Sequence, residues 1–262
     1  MDGLSKTIKM KQSQRVKFIL EKIKQDLQIG VQDIVQAFQV SEITARRDLI
    51  NLENQGALLR THGGAIASPL QPKGMFSFDE KSTMSQQQKE HICKIAVGLI
   101  QENDTIFIDS GSTLFYMCQH LKTFKRLNVI TNSLPVVSEL MAMPNLKVNL
   151  IGGEVDPQRR ATHGMIAEQN LEKYFTKKAF IGTDGVSLKM GLTAFDEKAA
   201  ATSRKIAFAA EQVFLLCDSS KIEQNSAVHF APLSVLTALI TDPNVPAVCV
   251  ENYATAGLEV VF

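Results

Sequence analysis

The chain has 262 residues, 45% hydrophobic and 21% charged, with 28 Lys and Arg against 27 Asp and Glu for a formal net charge of +1. That length suits one small and one medium domain, each burying its own core, and the composition excludes disordered, collagen-like and fibrous classes. No apolar run approaches the roughly 18 to 20 residues of a membrane span, and the polar start MDGLSKTIKMKQSQR lacks the apolar centre of a secretory signal, so a cytoplasmic protein with no membrane partner is expected.

Residues 14–24, QRVKFILEKIK, place Val16, Ile19, Leu20 and Ile23 at helical spacing. VQDIVQAF continues with Val31, Ile34, Val35 and Phe38 inward, behind Gly30 at the N-cap position, where Ser or Thr would be usual. Gln39 and Val40 then form a tight turn. Ser41 caps a third helix, Glu42 favours its positive end, and Gly56 stands just past its last turn. At 100° per residue, Ala45, Leu49 and Leu52 share the inward face, while Ile43, Thr44, Arg47 and Asn51 point away and Arg46 lies on the flank. ALLRTHGGAIA alternates around Gly63 and Gly64, which suits a two-stranded hairpin with φ > 0 at its turn. Three helices and a hairpin over residues 1–67 make a small winged helix-turn-helix domain. Residues 68–82, SPLQPKGMFSFDEKS, hold two prolines, one glycine and no clear period, and read as a linker or as a loop that docks on the next domain.

Over residues 83–262 short β-rich runs alternate with helical ones. A helix from about Gln86 to Ile100 leads into TIFID, then TLFYMCQHL as helix, LNVITN as strand, PVVSELMAM as helix and LKVNLIGG as strand. A helix over about Gly164 to Phe175, the strand KAFIGTDG, a long helix from about Asp196 to Ala210, the strands QVFLLCDSS and LTALITD, the helix AVCVENYATAG and the strand LEVVF complete the chain. The alternation predicts an α/β main domain, a mainly parallel sheet with helices on both faces.

Six of these strands close on small polar or charged residues: FIDSGST, ITNS, LIGGE, GTDG, CDSSK and ITD. In an open α/β sheet the carboxyl ends of the strands share one rim, where ligands bind near a topological switch point. The turn Ser110, Gly111, Ser112 and Thr113 offers backbone N–H groups and hydroxyls to a phosphate or carboxylate. Lys221 supplies positive charge, and Asp109, Asn132 and Asp184 suit sugar hydroxyls. Thr131, Ser133, Gly152, Gly153 and Gly185 complete the candidate effector site. Any one of these segments also serves as an ordinary helix cap or turn; recurrence at nearly every strand end favours a pocket. His163, just before Gly164, falls in a possible pocket loop. Four cysteines, Cys93, Cys118, Cys217 and Cys249, form no CxxC pair and no disulfide framework is expected. No P-loop, G-x-S-x-G, H-E-x-x-H or dinucleotide fingerprint occurs, so neither metal nor nucleotide cofactor is expected.

The first domain holds the basic excess. Up to Ala65 there are ten Lys and Arg against seven Asp and Glu, roughly +3, which leaves roughly −2 for the rest. A charge run is usually a solvated face, but here N-cap, turn length, outward side chains and glycine hairpin agree on one docking mode. The third helix enters the major groove and the hairpin meets adjacent backbone or minor groove. Candidate DNA contacts are Ser41, Glu42, Thr44, Arg46, Arg47, Arg60, His62, Gly63 and Gly64, with Arg47 directed to bases and Arg46 to a phosphate.

VSEITARRDLINLENQGALLRTHGGA resembles the N-terminal signature of the DeoR family of bacterial transcriptional regulators, with Thr44, Arg46, Arg47, Asp48, Leu49, Gly56, Arg60, Gly63, Gly64 and Ala65 matching. DSGST, TNS, GGE, FIGTDGVSLKMGLT and CDSSK resemble that family's effector domain, so the likeness covers nearly the whole chain. It implies a non-enzymatic repressor of a carbohydrate or polyol operon, a homodimer or homotetramer on double-stranded operator DNA that a phosphorylated sugar releases. The main domain is then ribose-5-phosphate isomerase-like, and a sugar-phosphate isomerase with an accessory DNA-binding domain is the alternative. Two residues depart from the family pattern: Ala45 replaces an isoleucine on the core face, and Ala199 stands where many members carry glutamate, with Glu197 nearby.

Overall fold

The computed structural model describes residues 14–23, 26, 28–54, 58–66 and 77–262, and the chain divides into two compact units, Met1–Met75 and Phe76–Phe262. In the first unit, helix α1 (residues 14–23) precedes strand β1 (Gln28–Gly30), α2 (Val31–Phe38), α3 (Glu42–Asn54) and the strands β2 (Leu59–Arg60) and β3 (Gly64–Ile66). The apolar stripes meet as their spacing predicts: Ile19, Leu20 and Ile23 of α1, Val31 and Ile34 of α2, and Ala45, Leu49 and Leu52 of α3 are buried together with Leu58 and Ala65. Phe18 adds an edge-to-face contact with Phe38, ring centroids 5.4 Å apart. Gln39 closes α2 in the left-handed region at φ 51°, the bend of the helix-turn-helix. Gly30 caps α2 without a side chain because the Asp33 carboxylate accepts its N–H at 2.8 Å and the Val31 N–H reaches the Gly63 carbonyl at 2.9 Å.

Two expectations for the hairpin need correction. The sheet has three strands, in the order β1-β3-β2, because Gln28–Gly30 pairs antiparallel with β3. Neither Gly63 nor Gly64 takes a positive φ. The Thr61 N–H closes the turn on the Gly64 carbonyl at 3.0 Å, and glycine is required at 64 by close approach: a Cβ there would run into the Ile29 carbonyl oxygen and lie 2.9 Å from the Gly30 Cα. Gly56, Ala67 and residues 68–76 of the linker lie outside the described residues.

In the second unit the chain runs α4 (Phe78–Thr83), α5 (Gln86–Gly98), β4 (Thr105–Ile108), α6 (Ser112–Phe115), α7 (Met117–Leu121), β5 (Leu127–Thr131), α8 (Leu134–Leu140), β6 (Leu146–Leu150), β7 (Glu154–Asp156), β8 (Ala161–His163) and α9 (Met165–Leu171). It continues through β9 (Thr176–Ile181), β10 (Gly185–Ser187), β11 (Gly191–Ala194), α10 (Glu197–Phe208), β12 (Ala210–Leu216), β13 (Val228–Ala231), β14 (Ala238–Ile240), α11 (Ala247–Thr255) and β15 (Glu259–Val261). Seven strands form one sheet in the order β15-β14-β12-β9-β4-β5-β6, every pair parallel. The chain therefore winds from β4 out to β6, returns to β9 beside β4, and winds out the other way, so the order reverses between β4 and β9. Alternate strand residues feed two cores: Phe107, Ala179, Ile181 and Leu215 face one, and Ile106, Ile108, Phe180 and Phe214 the other. Burial on both faces accounts for the uninterrupted apolar runs of these strands.

The sequence reading did not anticipate the β7–β8 hairpin or the antiparallel sheet β10-β11-β13. TLFYMCQHL divides at Tyr116, where an i to i−3 bond to the Thr113 carbonyl tightens the first turn. Residues 77–83, read as the end of the linker or of a docking loop, form a capped helix: Ser77 accepts from the Glu80 N–H at 3.4 Å, and Glu80 accepts the Ser77 N–H at 2.8 Å. Phe78 packs edge-on against Phe115 at 5.6 Å.

The first unit also encloses a buried ion pair. Arg15 Nε donates to Asp48 Oδ2 at 2.6 Å and its second nitrogen to Oδ1 at 3.3 Å, with both residues under 10% exposed. Asp48→Ala strands the Arg15 guanidinium and is expected to destabilise this unit by about 3–5 kcal/mol. Hydrogen exchange of the Leu49 and Leu52 amides should accelerate accordingly, while β9 amides keep their protection; unchanged rates at α3 would contradict the assignment.

Candidate functional site

Helix α3 separates its two arginines. The Ser41 hydroxyl accepts the Thr44 N–H at 3.3 Å and lies 3.0 Å from the Thr44 hydroxyl, so both are engaged in capping. Glu42 accepts from Gln32 of α2 at 2.7 Å and from Arg46 at 3.2 Å. Arg60 pairs with Glu53 at 3.5 Å. Arg47 is exposed and has no ion-pair or hydrogen-bond partner among the described residues, and beside it Ile43 is 80% exposed. His62 and Gly63 are exposed at the tip of the hairpin, whereas Gly64 is buried against β1.

In the second unit the strand ends converge. Asp109 follows β4, Asn132 follows β5, Gly152 follows β6, Thr183 and Asp184 follow β9, and Asp218 follows β12, all along the carboxyl rim of neighbouring strands. Asp109 is buried; its carboxylate accepts the Ser110 N–H at 2.7 Å and the Ser203 hydroxyl at 2.6 Å. Burial pushes its carboxyl up to about 6 against those bonds. Gly111 takes φ 149°, a conformation that needs glycine, and turns the chain into Ser112 and Thr113. Three expected residues are spent on turns: the Thr131 hydroxyl accepts the Ser133 N–H at 3.0 Å, Ser133 caps α8 through the Val136 N–H at 3.4 Å, and Gly153 is packed so closely that a Cβ would lie 2.6 Å from the His163 carbonyl oxygen. Gly152 has open space around it, and Gly185 belongs to β10, where a Cβ would lie 2.5 Å from the Gln224 carbonyl oxygen.

Around this rim stand cations the sequence reading did not single out. Lys81 of α4 pairs with Asp184 at 2.9 Å and Arg159 of the β7–β8 turn pairs with it at 3.2 Å, while the Phe195 N–H donates at 3.2 Å. Burial works against the ionised Asp184, but the Lys81 and Arg159 charges outweigh it and hold the carboxyl down at about 2. Lys89 of α5 is 3% exposed, donates to Ser112 Oγ at 3.1 Å and bonds the Lys81 carbonyl. Burial brings Lys89 down to about 8, opposed by Asp218 and reinforced by Lys221 and Lys81. Lys81 is lowered as well, first by burial, with Asp184 opposing and Lys221 and Arg159 adding repulsion. Lys81 thus feels the charges of Lys221 and Arg159, and Lys89 those of Lys221 and Lys81, with Asp184 the carboxylate bonded to Lys81 and Arg159. An arrangement of that kind favours a further anion. Lys81 lay in the presumed linker and Lys89 on a helix read only for its extent, so no local motif marked either; Arg159 sat in a hairpin not foreseen.

Asn132 is fully buried and donates to Ser110 Oγ at 3.4 Å and the Thr162 carbonyl at 3.3 Å, while its Oδ1 has no partner among the described residues. His163 ends β8, and its Nε2 is likewise buried and unpaired. Each such atom costs about 1–3 kcal/mol unless something satisfies it. Ala199 is buried and its N–H is taken by the Asp196 cap at 2.9 Å, while Glu197 is exposed. Among the described residues no group of three or more His, Cys, Asp or Glu could hold a metal ion, and no helix is long and apolar enough to cross a membrane.

A helix-turn-helix unit with a sheet wing, followed by a parallel α/β domain with a cationic rim, defines a DNA-binding protein that carries its own ligand-sensing domain. Residues 15–69 match the DeoR-like helix-turn-helix domain and residues 84–243 the DeoR C terminal sensor domain. The chain is 30% identical to the putative aga operon transcriptional repressor of Escherichia coli O157:H7 over 95% of its length and 93% of that protein's. It is 34% identical to the lactose phosphotransferase system repressor of Streptococcus mutans, covering 89% of this chain and 93% of the other. The chain belongs to the DeoR family of transcriptional regulators. Among solved structures, ribose 5-phosphate isomerase A from Methanocaldococcus jannaschii aligns over 52% of this chain and 54% of its own at 18% identity, with a TM-score of 0.39.

Lys89 generates a pH prediction. Its folded value of about 8 lies below the ordinary 10.5, so between those limits the folded state binds fewer protons than the unfolded state and stability rises with pH. Lys89→Met should remove that rise in calorimetric scans. A variant that keeps the rise would show that Lys89 is not the group responsible.

Proposed function

We propose that this protein represses a carbohydrate or polyol catabolic operon, and that a phosphorylated sugar bound at the cationic rim releases it from operator DNA. The observation that carries the reading is the cluster of Lys81, Lys89, Arg159 and Lys221 beside the switch-point turn Ser110 to Thr113, where only Asp184 bridges two of the cations. A phosphate brings two negative charges and several acceptor oxygens to such a place. The sugar relationship of the lactose phosphotransferase system repressor supports the class of ligand. The protein acts in the cytoplasm as a homodimer or homotetramer, since operator half-sites are met by symmetric copies.

Arg47 and Ile43 supply the base readout: a guanidinium without a partner among the described residues suits guanine, and an exposed apolar side chain suits a thymine methyl. Arg46, already held by Glu42, and Arg60 serve phosphates, with Ser41, Glu42, Thr44, His62, Gly63 and Gly64 shaping the contact surface. In the second unit, an anion competing with Asp184 for Lys81 acts on α4, the first helix after the segment that joins the units. α4 is further tied to the site by Phe78 N–H to the Gln158 carbonyl at 2.7 Å, Arg160 to Asp79 at 2.6 Å and Tyr116 Oη to the Ser82 carbonyl at 2.8 Å. The effector thus shifts an equilibrium to the extent that it prefers one arrangement of α4.

Isomerase chemistry is not favoured. Proton abstraction by a carboxylate needs one free to act as base, and the rim carboxylates Asp109, Asp184, Asp218 and Asp242 each accept two or more bonds from the protein.

Fluorescence anisotropy on DNA from the chain's own promoter should show binding that weakens steeply with salt and that phosphorylated sugars reverse. Arg47→Ala should lose about 1–3 kcal/mol of specific binding with little change on random DNA, whereas Arg46→Ala should weaken both alike. No preference for promoter over random DNA at physiological salt would refute the proposal.

A further inference from the structure

The residues behind the rim turn close into a ring of hydrogen bonds that includes both residues with unpaired atoms, Asn132 and His163. Asn132 Nδ2 donates to Ser110 Oγ, the Ser110 N–H and the Ser203 hydroxyl both donate to Asp109, and Thr202, next to Ser203, meets His163 Nδ1 at 3.3 Å. Thr162, next to His163, returns to Asn132: its N–H donates to the Asn132 carbonyl at 2.9 Å and its hydroxyl to the same oxygen at 3.3 Å. The chemistry of the two orphans follows from their neighbours. The Thr162 carbonyl can only accept, which fixes the Asn132 amide with its nitrogen there and leaves Oδ1 as the free atom. The Thr202 hydroxyl gives its proton to the Lys198 carbonyl at 3.0 Å, so it accepts from His163. The imidazole proton therefore sits on Nδ1, and Nε2 presents a lone pair. Arg159, which faces His163 as well as Asp184, connects this ring to the cationic rim and disfavours a cationic guest.

We propose that Asn132 Oδ1 and His163 Nε2 form a two-acceptor subsite that binds hydroxyl groups of the effector, which makes His163 a specificity-determining residue of the sensor domain. Two buried lone pairs repel an anion and leave an apolar group no better off than none; hydroxyls satisfy both. The inference rests on the reading of the cationic rim as an anion site, since it assigns the uncharged end of the same ligand: a phosphorylated sugar or polyol with free hydroxyls rather than a deoxy or acyl phosphate.

The test is 15N NMR of the histidine rings in the full-length protein, titrated separately with inorganic phosphate, ribose 5-phosphate, glucose 6-phosphate, glycerol 3-phosphate, 2-deoxyribose 5-phosphate, and unphosphorylated ribose and glucose. The free protein should show His163 protonated on Nδ1, and at least one hydroxylated ester should move the Nε2 resonance toward the hydrogen-bonded range while inorganic phosphate does not. His163→Asn retains a donor near the Nδ1 position and His163→Gln an acceptor near Nε2. The best hydroxylated ester should bind the unaltered protein at least tenfold more tightly than inorganic phosphate, His163→Gln should keep most of that ratio, and His163→Asn should lose it. The proposal is overturned if hydroxylated esters bind without moving Nε2, or if His163→Asn keeps the ratio. Should unphosphorylated sugars move Nε2 while no phosphate or ester binds, the anion reading fails and the hydroxyl subsite stands; if nothing in the panel moves Nε2, the subsite is refuted.

Discussion

A carboxylate buried among cations organises the sensor domain. Asp184 leaves the end of β9 at the point where the strand order reverses, and its two oxygens take Lys81 from α4 and Arg159 from the β7–β8 turn. Those three elements are far apart in sequence, and a single side chain draws them to one rim. Lys89 and Lys221 add their positive charge to this rim, where Asp218 opposes it. Burial first, and the neighbouring cations after it, hold Lys81 and Lys89 below their ordinary protonation range.

The DNA-binding unit shows the complementary arrangement. Within one helical signature, Asp48 turns inward to Arg15 and anchors α3 to α1, Arg46 is occupied by Glu42, and Arg47 is left with no partner among the described residues. Adjacent residues of the same helix thus serve core and surface, because a 100° step carries one to each side. Ala45 is buried at the same interface, so its small size is a matter of helix packing and leaves the outward face unaltered.

Much of this was legible in the sequence where a period or a terminus governs structure. The inward face of α3 follows from its 3.6-residue repeat, and the rim follows from polar residues closing apolar strands. What escaped depends on tertiary approach. Lys81 and Lys89 acquire meaning only when α4 and α5 fold over the Ser110 to Thr113 turn, and Lys89 interrupts no helical pattern. Gly64 looked like a turn glycine, yet it is required by the backbone of β1, a three-residue strand too short to show a period. The buried acceptors Asn132 Oδ1 and His163 Nε2 are defined by which neighbours fail to reach them, a property no linear pattern carries.

The central claim is that Asp184 is an internal counter-ion, competing with the effector's anion for Lys81 and Arg159. Calorimetric titration of inorganic phosphate into the full-length protein and into Asp184→Asn tests it most directly. The substitution removes the competing charge while keeping the shape of the side chain, so phosphate should bind the variant at least tenfold more tightly. Equal or weaker binding would contradict the account and make Asp184 a ligand-binding residue instead.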